Sequence, residues 1–255
     1  MRNYVQTSEV VFKSGKGGQA LVTVIVTLYN YASFVVDALD SVYASTLDEV
    51  SLVVVNDRSS DDSLEVAKNW MRHHKGRFCD CILLNNVENY GLATSRNFAL
   101  DHVDTEFFFV LDADNSIYPR ALEKLYRSCV NSGASAAYSQ LEVFGDEKDV
   151  GYAYLWDRAL FLDENYVDAM ALIRKDHCDA VGRYSLFEIP GWEDYDLWCK
   201  FIENDFDAVF VPQMLCRYRV HGVSMLRSET NKSGSSVAAE MIARHPWLRL
   251  ANYGS

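Results

Sequence analysis

Asp112 and Asp114 stand one residue apart in "EFFFVLDADNSIYP", Glu106 to Pro119, directly after five apolar residues that read as a buried strand. In extended backbone, residues two apart project to the same side, so both carboxylates can reach one cation. An aspartate at the mouth of an apolar strand needs a partner, because burying an uncompensated charge is costly. Magnesium or manganese held by one or two carboxylates keeps its other positions for water and phosphate oxygens, which makes this D-x-D a candidate diphosphate site. Read alone, the pair serves equally well as a cap, with Asp114 or Asn115 satisfying the amides of a helix that begins near Pro119.

Other reactive side chains occupy comparable places. "TLYN", Thr27 to Asn30, and "VVVNDRSSDDS" put Tyr29, Asn30 and Asp57 where apolar runs stop. A uracil base offers a flat face and an imide N–H, for which a tyrosine ring and a carboxylate are suited; a core tyrosine and a capping aspartate are the plainer alternatives. In "PGWEDYDLW", Trp192 can stack on an acceptor sugar and Asp194 can take its hydroxyl proton. Glu193 is the competing base, and both acids also suit the positive end of a helix dipole. His221 follows an apolar strand; its imidazole suits manganese better than magnesium, or else serves as a structural hydrogen-bonding group.

The elements that position these residues alternate. "LVTVIVTLY", "VSLVVVND", "FCDCILL" and "FFFVL" are apolar enough to be covered on both faces, as strands of a parallel sheet are. Helical spacing follows each: "SFVVDALDSVYAS", "SSDDSLEVAKNWMRHH" with Ser59 or Ser60 as N-cap, "LATSRNFALDH", and "PRALEKLYRSCV" with Pro119 in its first turn. Such alternation predicts a doubly covered, mostly parallel sheet with right-handed crossovers, whose ligands bind beyond the carboxyl ends of the strands. Past about residue 133, "ASAAYSQLEVF" and "DAMALIR" read as strands, "WEDYDLWCKFIEN" as a helix, and "DAVFVP" and "LCRYRVH" as two last strands. Residues 1–20, ending in "KSGKGGQ", read as a flexible lead-in: the spacing of a phosphate-binding P-loop is absent and the glycines precede a strand.

Composition narrows the partners. The net charge of −12 comes without a Lys/Arg stripe, which argues against nucleic acid. Apolar runs such as "FFFVL" are far too short to span a bilayer, so membrane contact is expected only through a domain outside this sequence. The six cysteines show no metal-binding or disulfide-framework spacing, which predicts reduced thiols, no structural zinc and a cytoplasmic location.

The motifs together resemble family 2 of the glycosyltransferases, with the nucleotide-diphospho-sugar transferase (GT-A) fold. The likeness runs through "VTVIVTLYNYASFVVDALDSV", "VVVNDRSSDDS", "NYGLATSRNFAL", "FFFVLDADN", "GWEDYDLWCKF" and "YRVHGVSM", over about residues 21–227. It implies an α/β, Rossmann-like, mostly parallel central sheet with helices on both faces. It also implies a nucleotide-sugar-binding half at 21–118, an acceptor-binding half at 119–227 and a tail at 228–255. Donor contacts are implied at Thr27, Tyr29, Asn30, Asp57, Arg96 and the D-x-D of Asp112, Ala113 and Asp114. Trp192 is implied to meet the acceptor and Asp194, or Glu193, to act as base. Asp114, with Asp112 and His221, is implied to hold Mn2+ or Mg2+. Leu28, Ser95, Asn115 and the single glycine of "VGRYS" depart from the family pattern without removing a group with an assigned role.

The expected activity is metal-dependent, inverting transfer from a nucleotide-diphosphate sugar, a uridine one by the Tyr29 and Asp57 reading, to a hydroxyl of a saccharide or lipid-linked acceptor. Direct displacement needs one protein carboxylate at the reacting centre, and no motif nominates a second as covalent nucleophile. Two rivals remain. A haloacid-dehalogenase-type phosphatase also carries a strand-borne D-x-D, but opens its domain with it. A non-catalytic nucleotide-sugar binding module needs no base at Asp194. The sugar, the acceptor, the oligomeric state and the choice between the two metals are not encoded in these motifs. The abrupt end in "HPWLRLANYGS" reads as that of a longer chain that was cut.

Overall fold

The structure is a computed structural model and describes residues 7–222 and 234–250. It divides into two compact units, Met1–Glu123 and Lys124–Ser255. The expected boundary at 227/228, and the last residues of both "YRVHGVSM" and "HPWLRLANYGS", lie outside the described residues.

In the first unit, β2 (Val22–Leu28) and β3 (Val50–Asn56) are buried at every position. Their unbroken apolar character therefore reports cover on both faces. With β1 (Ser8–Ser14), β4 (Cys81–Asn86) and β5 (Phe107–Asp112) they form a sheet in the order β1-β4-β3-β2-β5. The strands β2 to β5 run parallel, with Val22 opposite both Val50 and Phe107, and Leu52 opposite Cys81. The chain lays β3 and β4 to one side of β2, and β5 to the other. Strand order thus reverses between β2 and β5, and the crevice at such a switch point is where open α/β sheets bind ligands.

The helices α1 (Val35–Tyr43), α2 (Ser63–His74) and α3 (Leu92–Leu100) carry the crossovers. Val35, Ala38, Leu39 and Val42 form the buried face of α1. A two-residue strand β6 (Ser116–Ile117) follows the D-x-D, and its Ile117 N–H donates to Ser41 Oγ at 3.1 Å.

Two expectations for this unit need correction. The lead-in is not all flexible: β1 pairs antiparallel with β4, from Ser8 opposite Asn86 to Ser14 opposite Cys81, with a bulge between Val10 and Phe12. Being an edge strand, β1 buries no complete face, so its sequence carries neither alternation nor a continuous apolar run. Nor do Ser59 and Ser60 cap α2. The N-cap position is Asp62, without a side-chain cap bond, and both serines turn to the neighbouring strand ends.

The division between the units falls within α4 (Ala121–Ser132). In the second unit β7 (Ala136–Gly145) pairs antiparallel with β8 (Asp149–Val150) and β9 (Leu172–Arg174), and parallel with β10 (Ala208–Val220). "DAVFVP" and "LCRYRVH", expected as separate strands, are one long strand whose register slips between Val211 and Met214 and again before Cys216. Pro212 lacks an N–H and breaks the ladder there without ending the strand. Gly145 closes β7 at φ +102°, where a Cβ would stand 2.4 Å from the Val220 carbonyl oxygen, so glycine is required.

Besides α4, the helices among the described residues of this unit include α5 (Lys175–Ala180), α6 (Glu193–Glu203) and α7 (Gly234–Arg244). Trp198, Tyr195 and Phe201 of α6 are fully buried, and Trp198 Nε1 donates to the Val167 carbonyl at 2.9 Å. The expected tail at 228–255 contributes a helix and a buried charged cluster. The two ring nitrogens of His245 face the carboxylates of Asp196 (Nε2, 3.2 Å) and Glu203 (Nδ1, 2.8 Å), both on α6, and Lys200 Nζ lies 2.7 Å from the other Asp196 oxygen. All six cysteines are free and buried. Burial pushes the Cys81 thiol up to about 12, so it packs as a small apolar group. Among the described residues, no helix is long and apolar enough to cross a membrane.

Candidate active site

The switch point is built from the ends of β2 and β5. Thr27 and Asp112 are register partners on these parallel strands, and Thr27 Oγ1 donates to Asp112 Oδ1 at 3.2 Å. Arg96 reaches the same oxygen from α3, with Nη2 at 3.0 Å. The guanidinium is 2% exposed, whereas the carboxylate keeps 29% of its side-chain exposure. A buried arginine requires such an anion, so the first acid of the D-x-D is held by the protein. Ala113 and Asp114 are both buried, and the Asn115 N–H closes a turn onto the Asp112 carbonyl at 3.0 Å.

Tyr29 and Asn30 continue from β2. Tyr29 is 45% exposed, a large ring left outside the core. Asn30 takes the left-handed conformation, φ 56°, which asparagine tolerates better than most residues. Its Oδ1 accepts from the Ser60 N–H at 2.7 Å, and its own N–H donates to Ser59 Oγ at 3.0 Å. Ser59 Oγ also donates to Asn56 Oδ1 at 2.6 Å, and Asn56 Nδ2 to Asn85 Oδ1 at 2.7 Å. The ends of β2, β3 and β4 are therefore laced together by side chains. Asp61 completes the brace by accepting from the Ala32 N–H at 3.1 Å. Burial raises its carboxyl pKa, but bonds from Ser63 and Ala32 outweigh that and leave it below the ordinary carboxylate value.

Asp57, 5% exposed at the end of β3, is neither a cap of α2 nor an isolated acceptor. Its Oδ1 accepts from Asn86 Nδ2 and from the Tyr90 N–H, each at 2.8 Å, and its Oδ2 accepts from the Gly91 N–H at 2.8 Å. Gly91, at the N-cap position of α3, has φ 86° and ψ 169°, a region open essentially to glycine alone. Asp57 thus anchors the loop that delivers α3 and Arg96. Asn86 carries no pattern in sequence that would have nominated it.

In the second unit, Trp192, Glu193 and Asp194 open α6. Glu193 is 3% exposed and its Oε2 accepts from the Gly191 N–H at 2.9 Å. Asp194 is half-buried, and its Oδ2 accepts from Asn165 Nδ2 at 3.0 Å. Of the two candidate bases, Glu193 is the more buried and is turned into its own loop, whereas Asp194 is half-buried and also accepts from the Tyr195 N–H, at Oδ1 and 2.9 Å. The half-buried Trp192 ring lies 5.8 Å from that of Tyr195. His221 follows β10 and is buried. Asp196 and Asn165, absent from the sequence reading, prove to be the polar supports of this helix.

The side chains at the D-x-D suit a hard cation. Among the described residues no three His, Cys, Asp or Glu side chains gather closely enough to hold a metal by themselves. Two carboxylates with one partly open to solvent match an ion that takes its remaining ligands from water and diphosphate.

Comparison with known proteins bears on this arrangement. The family model described as Glycosyl transferase family 2 matches residues 23–188. EpsE of Bacillus subtilis (strain 168) is 30% identical over 239 residues, covering 91% of this chain and 85% of its own. GlyA, a glycosyltransferase of Streptococcus pneumoniae, is 31% identical over 136 residues, 52% of this chain; the match spans only 18% of that longer protein. Among solved structures, Staphylococcus aureus TarS in complex with UDP-GlcNAc has a TM-score of 0.71 at 17% identity, over 91% of this chain and 69% of that one. The mannosyltransferase PcManGT of Pyrobaculum calidifontis, in complex with GDP-Man and Mn2+, has a TM-score of 0.66 at 17% identity, over 94% and 71%. At those identities the solved structures establish the shared fold, while the family model and EpsE establish kinship. The chain belongs to glycosyl transferase family 2, the glycosyltransferases with a GT-A fold.

Proposed function

We propose that this protein transfers a sugar from a nucleotide-diphosphate donor, a uridine one, to an acceptor hydroxyl on a saccharide or lipid-linked substrate, with inversion at the anomeric carbon. The observation that carries the reading is the cluster of Thr27, Arg96 and Asp112 at the switch point of the parallel sheet, beside the exposed ring of Tyr29. TarS in complex with UDP-GlcNAc and PcManGT in complex with GDP-Man are proteins of the same fold that hold nucleotide sugars, which supports this donor class. The six free, buried thiols fit a cytoplasmic enzyme.

Each residue has a role in this reading. Tyr29 stacks on the base and Asp57 accepts its imide N–H. Arg96 orients Asp112 and offsets its charge. Asp194 takes the acceptor hydroxyl proton as that oxygen bonds to the anomeric carbon and the nucleotide diphosphate departs with the electrons of the broken bond. Trp192 supports the acceptor sugar. Asp114, with Asp112, is the candidate ligand pair for Mn2+ or Mg2+; such an ion, when bound, supplies Lewis-acid stabilisation to the leaving diphosphate.

Calorimetric titration with UDP and UDP-sugars, with and without Mn2+, tests the reading on the parent and on Asp114→Ala. Metal-dependent binding by the parent, lost in a variant with an unchanged melting curve, is the expected result. Equal affinity in the two proteins removes Asp114 from the metal site.

A further inference from the structure

Asn86 ends β4 and is completely buried. Its carboxamide donates twice, from Nδ2 to Asp57 Oδ1 at 2.8 Å and to Ser95 Oγ at 3.0 Å. The amide cannot be turned the other way, because its oxygen would then face the Asp57 carboxylate. Asn86 Oδ1, by contrast, finds no hydrogen-bond donor among the described residues. A buried amide with one orphaned end destabilises the fold relative to an apolar side chain of the same shape, so packing alone gives no reason for asparagine here. What it does accomplish is to tie the end of β3 to α3, next to Arg96.

The count of bonds on Asp57 gives that tie a consequence. An ionised carboxylate offers about four lone-pair sites. Two on Oδ1 are taken by Asn86 and the Tyr90 N–H, and one on Oδ2 by the Gly91 N–H. We infer that Asn86 is a positioning residue for donor-base selection: it fixes Asp57 so that a single acceptor, on Oδ2, is left for the imide N–H of a uracil base. The inference rests on the reading of Asp57 as the base-selecting residue. A fixed, buried acceptor rejects cytosine, which presents a lone pair at that ring position, whereas a carboxylate free to rotate can turn away and tolerate it.

The test measures the affinity ratio of UDP to CDP, with Mn2+, for the parent, Asn86→Ala, Asn86→Asp and Asp57→Ala. The ratio cancels the diphosphate and its titration, which both ligands share. Asn86→Ala is expected to reduce the preference for UDP by roughly ten- to a hundredfold, the equivalent of one hydrogen bond to a charged group. Asn86→Asp sets two carboxylates against each other. Its preference is expected to be poor at about pH 8 and to recover toward about pH 5.5, as one proton shared between them restores the bond. The parent shows no such recovery, and a merely structural role predicts none. Should Asn86→Ala fail to fold, the pH profile of Asn86→Asp decides. An altered ratio in Asp57→Ala alongside a parental ratio and a flat profile in both Asn86 variants overturns the inference and spares the reading of Asp57. A parental ratio in Asp57→Ala overturns both.

Discussion

Arg96 Nη2 lies 3.0 Å from Asp112 Oδ1, so the first carboxylate of the D-x-D meets a buried guanidinium from α3. The two acids of the motif are therefore not equivalent. Asp112 is a fixture of the protein, oriented by Arg96 and Thr27, and its charge is offset before any cation is considered. Removing the arginine leaves a carboxylate unpaired, but one still partly open to water, so the full penalty for a buried pair does not apply. Arg96→Met is expected to destabilise the fold by about 2 kcal/mol and to weaken UDP binding. Urea denaturation and calorimetry check the two effects; unchanged stability would show that the pair contributes nothing to the fold.

Asp57→Ala separates its anchoring from capping. Loss of an N-cap costs about 1 kcal/mol. Removing the carboxylate takes an acceptor from the Tyr90 N–H, the Gly91 N–H and the Asn86 amide, of which the last two keep Asn89 Oδ1 and Ser95 Oγ, and is expected to cost more, about 2 kcal/mol, because the part-buried Tyr90 N–H loses its acceptor and the loop its anchor. Hydrogen exchange at Tyr90 and Gly91 should rise far more than at the first turn of α2. Acceleration confined to α2 would contradict the bonding described.

The acids at the start of α6 divide by environment. Asp194→Asn is expected to keep donor affinity and lose transfer by roughly two to four powers of ten, the usual contribution of a positioned base. Glu193→Gln keeps an acceptor for the Gly191 N–H and should reduce turnover less. Single-turnover rates on a responsive acceptor rank the two, and the reverse order would transfer the role to Glu193.

His245 predicts a pH dependence. Burial pushes its pKa down, but bonds to Asp196 and Glu203 outweigh this and hold it above the ordinary histidine value. Its contribution to stability is therefore complete below about pH 6.5 and is lost as pH rises through the raised value. Burial likewise pushes Asp196 up, but bonds from His245 and Lys200 prevail and hold its pKa low, so its contribution is lost only as pH falls through that lowered value. The attachment of the C-terminal segment to α6 should accordingly weaken on the alkaline side. His245→Gln is expected to flatten that limb of a stability-against-pH curve; a parental slope in the variant would assign the alkaline loss to another group.

Much of this protein is legible in its sequence. The apolar runs of β2, β3 and β5 announce strands covered on both faces, and the positions at which they stop place Tyr29, Asn30, Asp57 and the D-x-D at carboxyl ends. Periodicity does this well because burial is a property of each residue against a layer, repeated along the element. Where burial is incomplete the signal fades. The edge strand β1 carries no periodic signal for that reason, and Pro212 makes one bulged strand read as two.

Hydrogen-bond partners are decided differently. Asp57 and Gly91 lie 34 residues apart, Asn30 and Ser60 30 apart, and Arg96 and Asp112 16 apart. Each pair meets only because β4, β3, β2 and β5 take that order and register. Residue types alone allowed Asp57 to be a cap, a base reader or an anchor. The sheet put Asn86, Tyr90 and Gly91 around it and fixed the anchoring, because a pairwise bond of about 3 Å depends on two distant positions at once and no local pattern encodes both.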